Sequence, residues 1–350
     1  MKVIHLELGR SYYGGAIQSI ALLESQYKAG IDAAMIVPDD SYIAKNFPHL
    51  PIVKFKYRGE FDFLAQSKII QYINDLNPDI VHGHSRRGIT RILNRLNQRI
   101  SKMITRRVHR SEPKFYLNYQ FKKLNAIACI SQAIIEDLKN NVGIKAEKLY
   151  YIPSMIDVEK LSSSSGQSIQ KGKIIKGVMP AQLIVRKNHS AAFRLIRGLL
   201  DRGLQVELHC YGDGENHDNL LKEIKKMGLD KQVFLKNYEK DLAQKLLNYD
   251  FFLHLACEEG LGLSIIEAMA SRLPVISAGM GGASELLMHG ANGLQVSIQI
   301  KENDIEKIHH YLNNKEDREA KVESAYRHVI KNYNSQNYLN AYLDLYKLIA

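Results

Sequence analysis

The chain contains no tryptophan, three cysteines and eight prolines in 350 residues. No apolar run approaches the ~20 residues that a bilayer-crossing helix requires. Cys129, Cys210 and Cys257 lie far apart, without metal-ligand spacing. They give no disulfide framework, and their simplest reading is core packing in a reduced, cytoplasmic protein. The opening segment, MKVIHLEL, is too short for a signal peptide and reads as a first buried strand. A GxGxxG fingerprint is missing too. Acidic residues are scarce in one half alone. Through Pro153 there are 23 Lys+Arg against 13 Asp+Glu, and after it 25 against 24. Residues 86–123 hold 12 basic residues and one acid, Glu112, so this segment carries most of the net charge of +11.

What is present is an α/β pattern long enough for two domains with good cores. KVIHLEL is a strand, GRSYYGGA a glycine turn, IQSIALLESQYKAG an amphipathic helix ending at Gly30, and DAAMIVP the next strand. That order starts a doubly wound parallel sheet, whose ligands sit beyond the carboxyl ends of its strands. Gly14 and Gly15 lie at that end of the first strand. PDIVHGHS is another strand, running into a loop with His82 and His84. The segment after it, GITRILNRLNQRISK, predicts a helix with Arg91, Arg95, Arg99 and Lys102 on one face, opposite Ile92, Leu96 and Ile100. A strand from Met103 to Val108 follows, ending at His109, and Ser131 caps the helix after KLNAIACIS. The Ser/Gly-rich residues 162–173 suit an exposed linker. Beyond them the pattern restarts with IIKGVMPA, a helix from His189 to Asp201, and alternating elements as far as DFFLHLA.

The most informative stretch is CEEGLGLSIIEAMASRLPVISAGMGGASELLMHGANGLQV, Cys257 to Val296. Gly260 and Gly262 follow Glu259; Ser264 sits where an N-cap belongs, and IIEAMAS continues in helix formers until Pro274 ends the helix. The short strand VIS then runs into Ala-Gly-Met-Gly-Gly. A glycine loop at a helix N-terminus offers N–H groups and a dipole to phosphate or sugar oxygens, while ionised carboxylates accept hydrogen bonds from hydroxyls. A nucleotide sugar would use every part of this arrangement.

This stretch resembles the donor-site signature of retaining glycosyltransferases of family 4, with Glu259 and Glu267 at the family spacing. The resemblance covers almost the whole chain. It implies an α/β GT-B fold, two Rossmann-like doubly wound domains facing across a cleft. The expected N-terminal acceptor-binding domain is 1–155, the linker 156–173, and the C-terminal nucleotide-sugar-binding domain 174–330. A helix over 331–350 would cross back to the first domain. It also implies that Glu267 binds the ribose hydroxyls, that Glu259 contacts the donor sugar, and that Gly260, Leu261, Gly262 and Leu263 offer amides to the sugar and diphosphate. Gly14 and Gly15 would lie against the diphosphate, and His109 close to the transferred sugar's C6 hydroxyl. The family's cationic pair maps onto AQLIVRKN: Lys187 fits the lysine, but Gln182 stands at the arginine position, so Arg186 reaches in or the pocket is built differently. No metal or other cofactor is expected, because protein cations and helix dipoles neutralise the leaving diphosphate.

Two readings of the basic segment remain open. It docks on the anionic inner face of the membrane, or Arg86, Arg87, Arg106 and Arg107 grip an anionic glycan or lipid-linked acceptor. HGHSRR and TRRVH resemble bacterial members that build lipopolysaccharide or capsule. The leading expectation is therefore a peripheral-membrane glycosyltransferase. A GT-B nucleotide-sugar epimerase is the alternative within enzymes. A basic nucleic-acid-binding protein is the alternative outside them, and the lack of tryptophan and of an aromatic-rich basic motif argues against it.

Overall fold

The computed structural model describes residues 1–12, 14–84, 88–109, 113–157, 161 and 173–350. They form two compact units, Met1–Met155 with Ser335–Ala350, and Ile156–Asn334.

The first unit is built on seven parallel strands: β1 (Lys2–Leu6), β2 (Asp32–Pro38), β3 (Ile52–Phe55), β4 (Ile80–Gly83), β5 (Ser101–Arg106), β6 (Ala126–Cys129) and β7 (Leu149–Tyr151). Their order is β3-β2-β1-β4-β5-β6-β7, with Val3 paired to Ala33 on one side and Ile80 on the other. A parallel sheet is covered on both faces, so its central strands read as unbroken apolar runs; β4 and β6 are buried at every position. Right-handed crossovers put the helices Phe63–Leu76, Ile89–Leu93 and Lys114–Phe121 on one face of the sheet. The helices Gly14–Lys28 and Ser335–Ile349 pack together. Tyr338, Tyr342, Leu345 and Tyr346 of the last helix belong to the same core cluster as Ile20, Leu23, Met35 and Val37.

The second unit has six parallel strands: β8 (Ile175–Pro180), β9 (Val206–Tyr211), β10 (Val233–Lys236), β11 (Phe251–His254), β12 (Val275–Ser277) and β13 (Leu294–Gln295). Their order is β10-β9-β8-β11-β12-β13. In each sheet the strand order reverses once, beside β1 and β4 in the first and beside β8 and β11 in the second. Crevices beyond the carboxyl ends of strands at such points are where open α/β sheets bind ligands.

Several expectations need correction. The predicted helix over Gly88–Lys102 is only Ile89–Leu93. Asparagines end it: the Asn97 side chain accepts the Arg99 N–H at 3.1 Å, a turn that competes with helical bonding. Lys102 lies inside β5, buried, so the four cations do not form a stripe. The strand expected from Met103 to Val108 is Ser101–Arg106. The last helix starts at Ser335, because the preceding helix, Lys315–Asn332, runs through residue 331. Cys129 and Cys210 are buried as expected, but Cys257 is exposed, at the start of the loop leaving β11. The linker residues 158–160 and 162–172 lie outside the described residues, as do Arg86 and Arg87.

Candidate active site

The loops leaving β8 and β11 meet at the switch point of the second sheet. The Cys257 N–H donates to the Arg186 carbonyl at 2.9 Å, and the Asn188 side chain donates to the carbonyls of Leu255 and Ile298 at 3.2 and 2.9 Å. This lacing brings Lys187 Nζ to 2.8 Å from Glu259 Oε2, and both side chains are about four-fifths buried. On the same oxygen, at 3.1 Å, sits Nε2 of His254, the last residue of β11. A carboxylate only accepts, so that nitrogen carries a proton. His254 Nδ1 lies 3.3 Å from the Ser277 hydroxyl, which also accepts the Gly279 N–H at 3.1 Å. Burial pushes the Glu259 carboxyl up, but the His254 hydrogen bond and the Lys187 charge outweigh it and hold it at about 2.

The glycine loop follows at once. Gly262, at φ +98°, begins the helix Leu263–Ala270, a backbone that L side chains resist. Ser264, expected as the cap, is instead inside the first turn, because the sharp entry demands glycine two residues earlier. The helix also stops at Ala270, short of Pro274. Gly282 closes the loop from behind: its N–H donates to the Glu259 carbonyl at 3.0 Å, and a Cβ there would lie 2.1 Å from the Gly260 carbonyl oxygen. The Glu267 side chain, about one turn into the helix, has no hydrogen-bond partner among the described residues, and burial pushes its carboxyl up to about 7. Gln182 and Arg186 are exposed, and Arg186 makes no ion pair among the described residues. Gln182 belongs to a loop that Gly212 and Gly214 approach so closely that a Cβ on either would meet backbone atoms within 2.3 Å.

The first sheet's switch point carries a buried polar chain. Arg107, half-buried, donates from Nη1 to the His84 carbonyl at 3.2 Å and from Nη2 to His84 Nδ1 at 3.5 Å. With Nδ1 accepting, His84 Nε2 donates to His5 Nδ1 at 2.8 Å, and His5 Nε2 donates to Gln26 Oε1 at 2.7 Å. His82 bonds Tyr346 and Thr105, each at 2.7 Å, and Thr105 bonds Tyr342 at 2.8 Å. Burial lowers His5 to about 4 and holds His82 and His84 well below the usual range, so all three are neutral. Their nitrogens lie within 4.8 Å of one another, as in a metal site. Yet both nitrogens of His5 and His82 are committed to other partners, and a guanidinium faces His84. His84 and His5 form a polar relay from Arg107 to Gln26, and His82 lies beside it, bonded to Thr105 and Tyr346. Gly14 and Gly15 open the Gly14–Lys28 helix, and a Cβ on Gly15 would sit 3.5 Å from Arg107 Cδ. His109 is half-buried after β5, its carbonyl accepting from Arg106 at 3.1 Å. Arg95 and Arg99 are exposed, and Arg91 lies over the Phe61 ring at 5.5 Å.

A family model described as "Glycosyltransferase Family 4" matches residues 13–160, and one described as "Glycosyl transferases group 1" matches residues 165–328. The chain has the GT-B fold and is matched by both glycosyltransferase models in succession. HepE of Anabaena, solved in complex with UDP, superposes with a TM-score of 0.82 at 18% identity, covering 99% of both chains. Poly(ribitol-phosphate) alpha-N-acetylglucosaminyltransferase of Staphylococcus aureus is 23% identical over 239 residues, 66% of this chain and 45% of that protein. A Campylobacter jejuni enzyme, N-acetylgalactosamine-N,N'-diacetylbacillosaminyl-diphospho-undecaprenol 4-alpha-N-acetylgalactosaminyltransferase, is 28% identical over 187 residues, 53% of this chain and 50% of that one. The matches thus span half or less of the length of these last two enzymes.

Within the second unit, the structure brings Lys187, Glu259 and the Gly260–Leu263 loop together, with Glu267 inside the helix the loop begins. His254 and Ser277 escaped the sequence analysis. Each ends a short apolar strand, and a polar residue at a strand's carboxyl end was the signal to follow.

Proposed function

We propose that the protein transfers a sugar from a nucleotide-sugar donor to a bacterial glycan acceptor, lipid-linked or of the lipopolysaccharide or capsule type. Transfer retains the anomeric configuration, needs no metal and takes place at the inner membrane surface. The observation that carries this reading is the Lys187–Glu259–His254 cluster beside the Gly260–Leu263 loop. The loop amides and the helix dipole receive the diphosphate. Lys187 neutralises charge on the departing phosphate, Glu259 accepts from sugar hydroxyls, and Glu267 from the ribose. The acceptor's proton passes to the leaving phosphate, so catalysis is positioning and leaving-group electrostatics. Arg186, exposed on the same loop as Lys187, supplies the second cation that Gln182 lacks. The UDP held by HepE favours a uridine donor. The ribitol-phosphate and diphospho-undecaprenol in the relatives' names favour an anionic or lipid-linked acceptor.

A thermal-shift panel of UDP, GDP, ADP and CMP sugars tests donor binding, since a ligand at 100 times its Kd adds roughly 2.7 kcal/mol. Lys187→Ala and Arg186→Ala should each cut turnover with the chosen donor. A silent Arg186→Ala together with lost binding in Gln182→Arg would mean other groups hold the diphosphate. An inverted product anomer defeats retention, and free epimer released without acceptor product defeats transfer.

A further inference from the structure

Three helices of the first unit, Phe63–Leu76, Ile89–Leu93 and Lys114–Phe121, begin at the carboxyl edge of its sheet and on one face. The first packs on the second and the second on the third. The Asn94 side chain donates to the Gln120 carbonyl at 3.1 Å, and Lys123 donates to the Asn94 carbonyl at 3.2 Å. On their outer side large apolar groups stand in water: Phe61 is 72% exposed, Phe63 57%, Leu64 81%, Phe115 77% and Tyr119 75%. In the Lys114 helix Leu117 and Phe121 turn inward, so Phe115 and Tyr119, one turn apart, turn outward. Soluble chains rarely leave such clusters uncovered.

The surroundings are cationic. The Arg91 guanidinium lies 5.5 Å from the Phe61 ring centre, and Arg58, Arg95, Lys114 and Lys122 are exposed. Of the acids near Phe61 among the described residues, Asp62 accepts from the N–H groups of Arg58 and Ala65 and is half-buried, and Glu60 is exposed. We infer that this aromatic and cationic surface docks on an anionic lipid bilayer. Its rings and Leu64 enter the headgroup boundary, and its cations meet lipid phosphates. The inference rests on the membrane-associated acceptor proposed above, and it replaces the helical arginine stripe that the fold does not form. A second copy is a poorer occupant, because a twofold contact would set the same positive cluster against itself. Single-stranded nucleic acid stacks on flat rings, and Leu64, the most exposed member, offers none.

The absence of tryptophan supplies the test. Phe115→Trp gives a sole reporter, with Leu221→Trp in the second unit as control. With vesicles of phosphatidylglycerol and phosphatidylcholine, emission from residue 115 should shift to the blue, be quenched by brominated lipid and revert at high salt; the control should not move. Affinity for pure phosphatidylcholine should be at least tenfold lower. Replacing Phe61, Leu64 and Phe115 by Ser should weaken vesicle binding at least tenfold with nucleotide-sugar binding by the second unit unchanged. No shift with anionic vesicles overturns the inference. So does a shift produced without lipid by raised protein concentration or by a single-stranded oligonucleotide. Insertion into vesicles supports the docking surface whether or not a nucleotide sugar binds, which separates its failure from that of the transfer reading.

Discussion

Glu259 and Glu267 flank one glycine loop and behave oppositely. The first is locked ionised by Lys187 and His254; the second, its side chain without a hydrogen-bond partner among the described residues, is pushed up to about 7. Below pH 7 the free protein therefore holds a proton on Glu267. If ribose hydroxyls donate to its ionised form, binding must release that proton. Nucleotide affinity should rise between pH 6 and 8 and then level, with proton release visible by calorimetry in buffers of different ionisation heat. Glu267→Gln should bind roughly 10- to 100-fold more weakly, the loss of a charged hydrogen bond costing roughly 1.5–3 kcal/mol, and without the pH slope. A slope that survives the substitution refutes the ribose role. Glu259 and Lys187 were legible in the sequence, because their surroundings match a family signature. His254, Ser277 and His5 were not, because a lone polar residue in an apolar strand looks like packing until its partners are known.

At the scale of elements, the glycine loop depends on a contact from outside itself. A methyl group on Gly282 would meet the Gly260 carbonyl at 2.1 Å, with backbone on both sides and nothing flexible to yield. Gly282→Ala should displace residues 259–262 and abolish donor binding; because Leu261 in that loop is buried, the unfolding midpoint should fall, while circular dichroism keeps the signal of both sheets. Undiminished affinity would show that the loop is not the anion cradle. Which elements exist was readable: buried strands such as β4 and β6 are bare apolar runs. Where they end was less so. The arginine spacing after Gly88 had helical period, but Asn97 turned the chain, and SKMITR went to the sheet. Turn chemistry outweighed periodicity there, and one strand swallowed a lysine expected on the surface.

For the whole molecule, acid should loosen the first unit. His5, His82 and His84 are neutral when folded, facing Arg107, Gln26, Thr105, Tyr342 and Tyr346, whereas an unfolded histidine gains its proton near 6.5. Between 6.5 and about 4 the unfolded chain binds more protons, so stability falls as pH falls, by about 3 kcal/mol for His5 alone at pH 4. Denaturant unfolding of the first unit from pH 7 to 4.5 should show this slope, and His5→Gln should flatten it. An unchanged slope would mean the relay is not the acid-sensitive element.

The first unit is completed by Tyr338, Tyr342 and Tyr346, which a ribosome adds only after making the entire second unit. Until then the pockets for these rings stand open, and His82 and Thr105 lack the hydroxyls that bond them. The order of synthesis and the order of folding should therefore be reversed: the half made first matures last. In a ribosome-stalled chain that has exposed residues only through Asn334, a protease should cut within residues 1–155 and spare residues 173–330. Release of the last helix should then protect both. Early protection of residues 1–155 would show that the final helix joins a unit already folded.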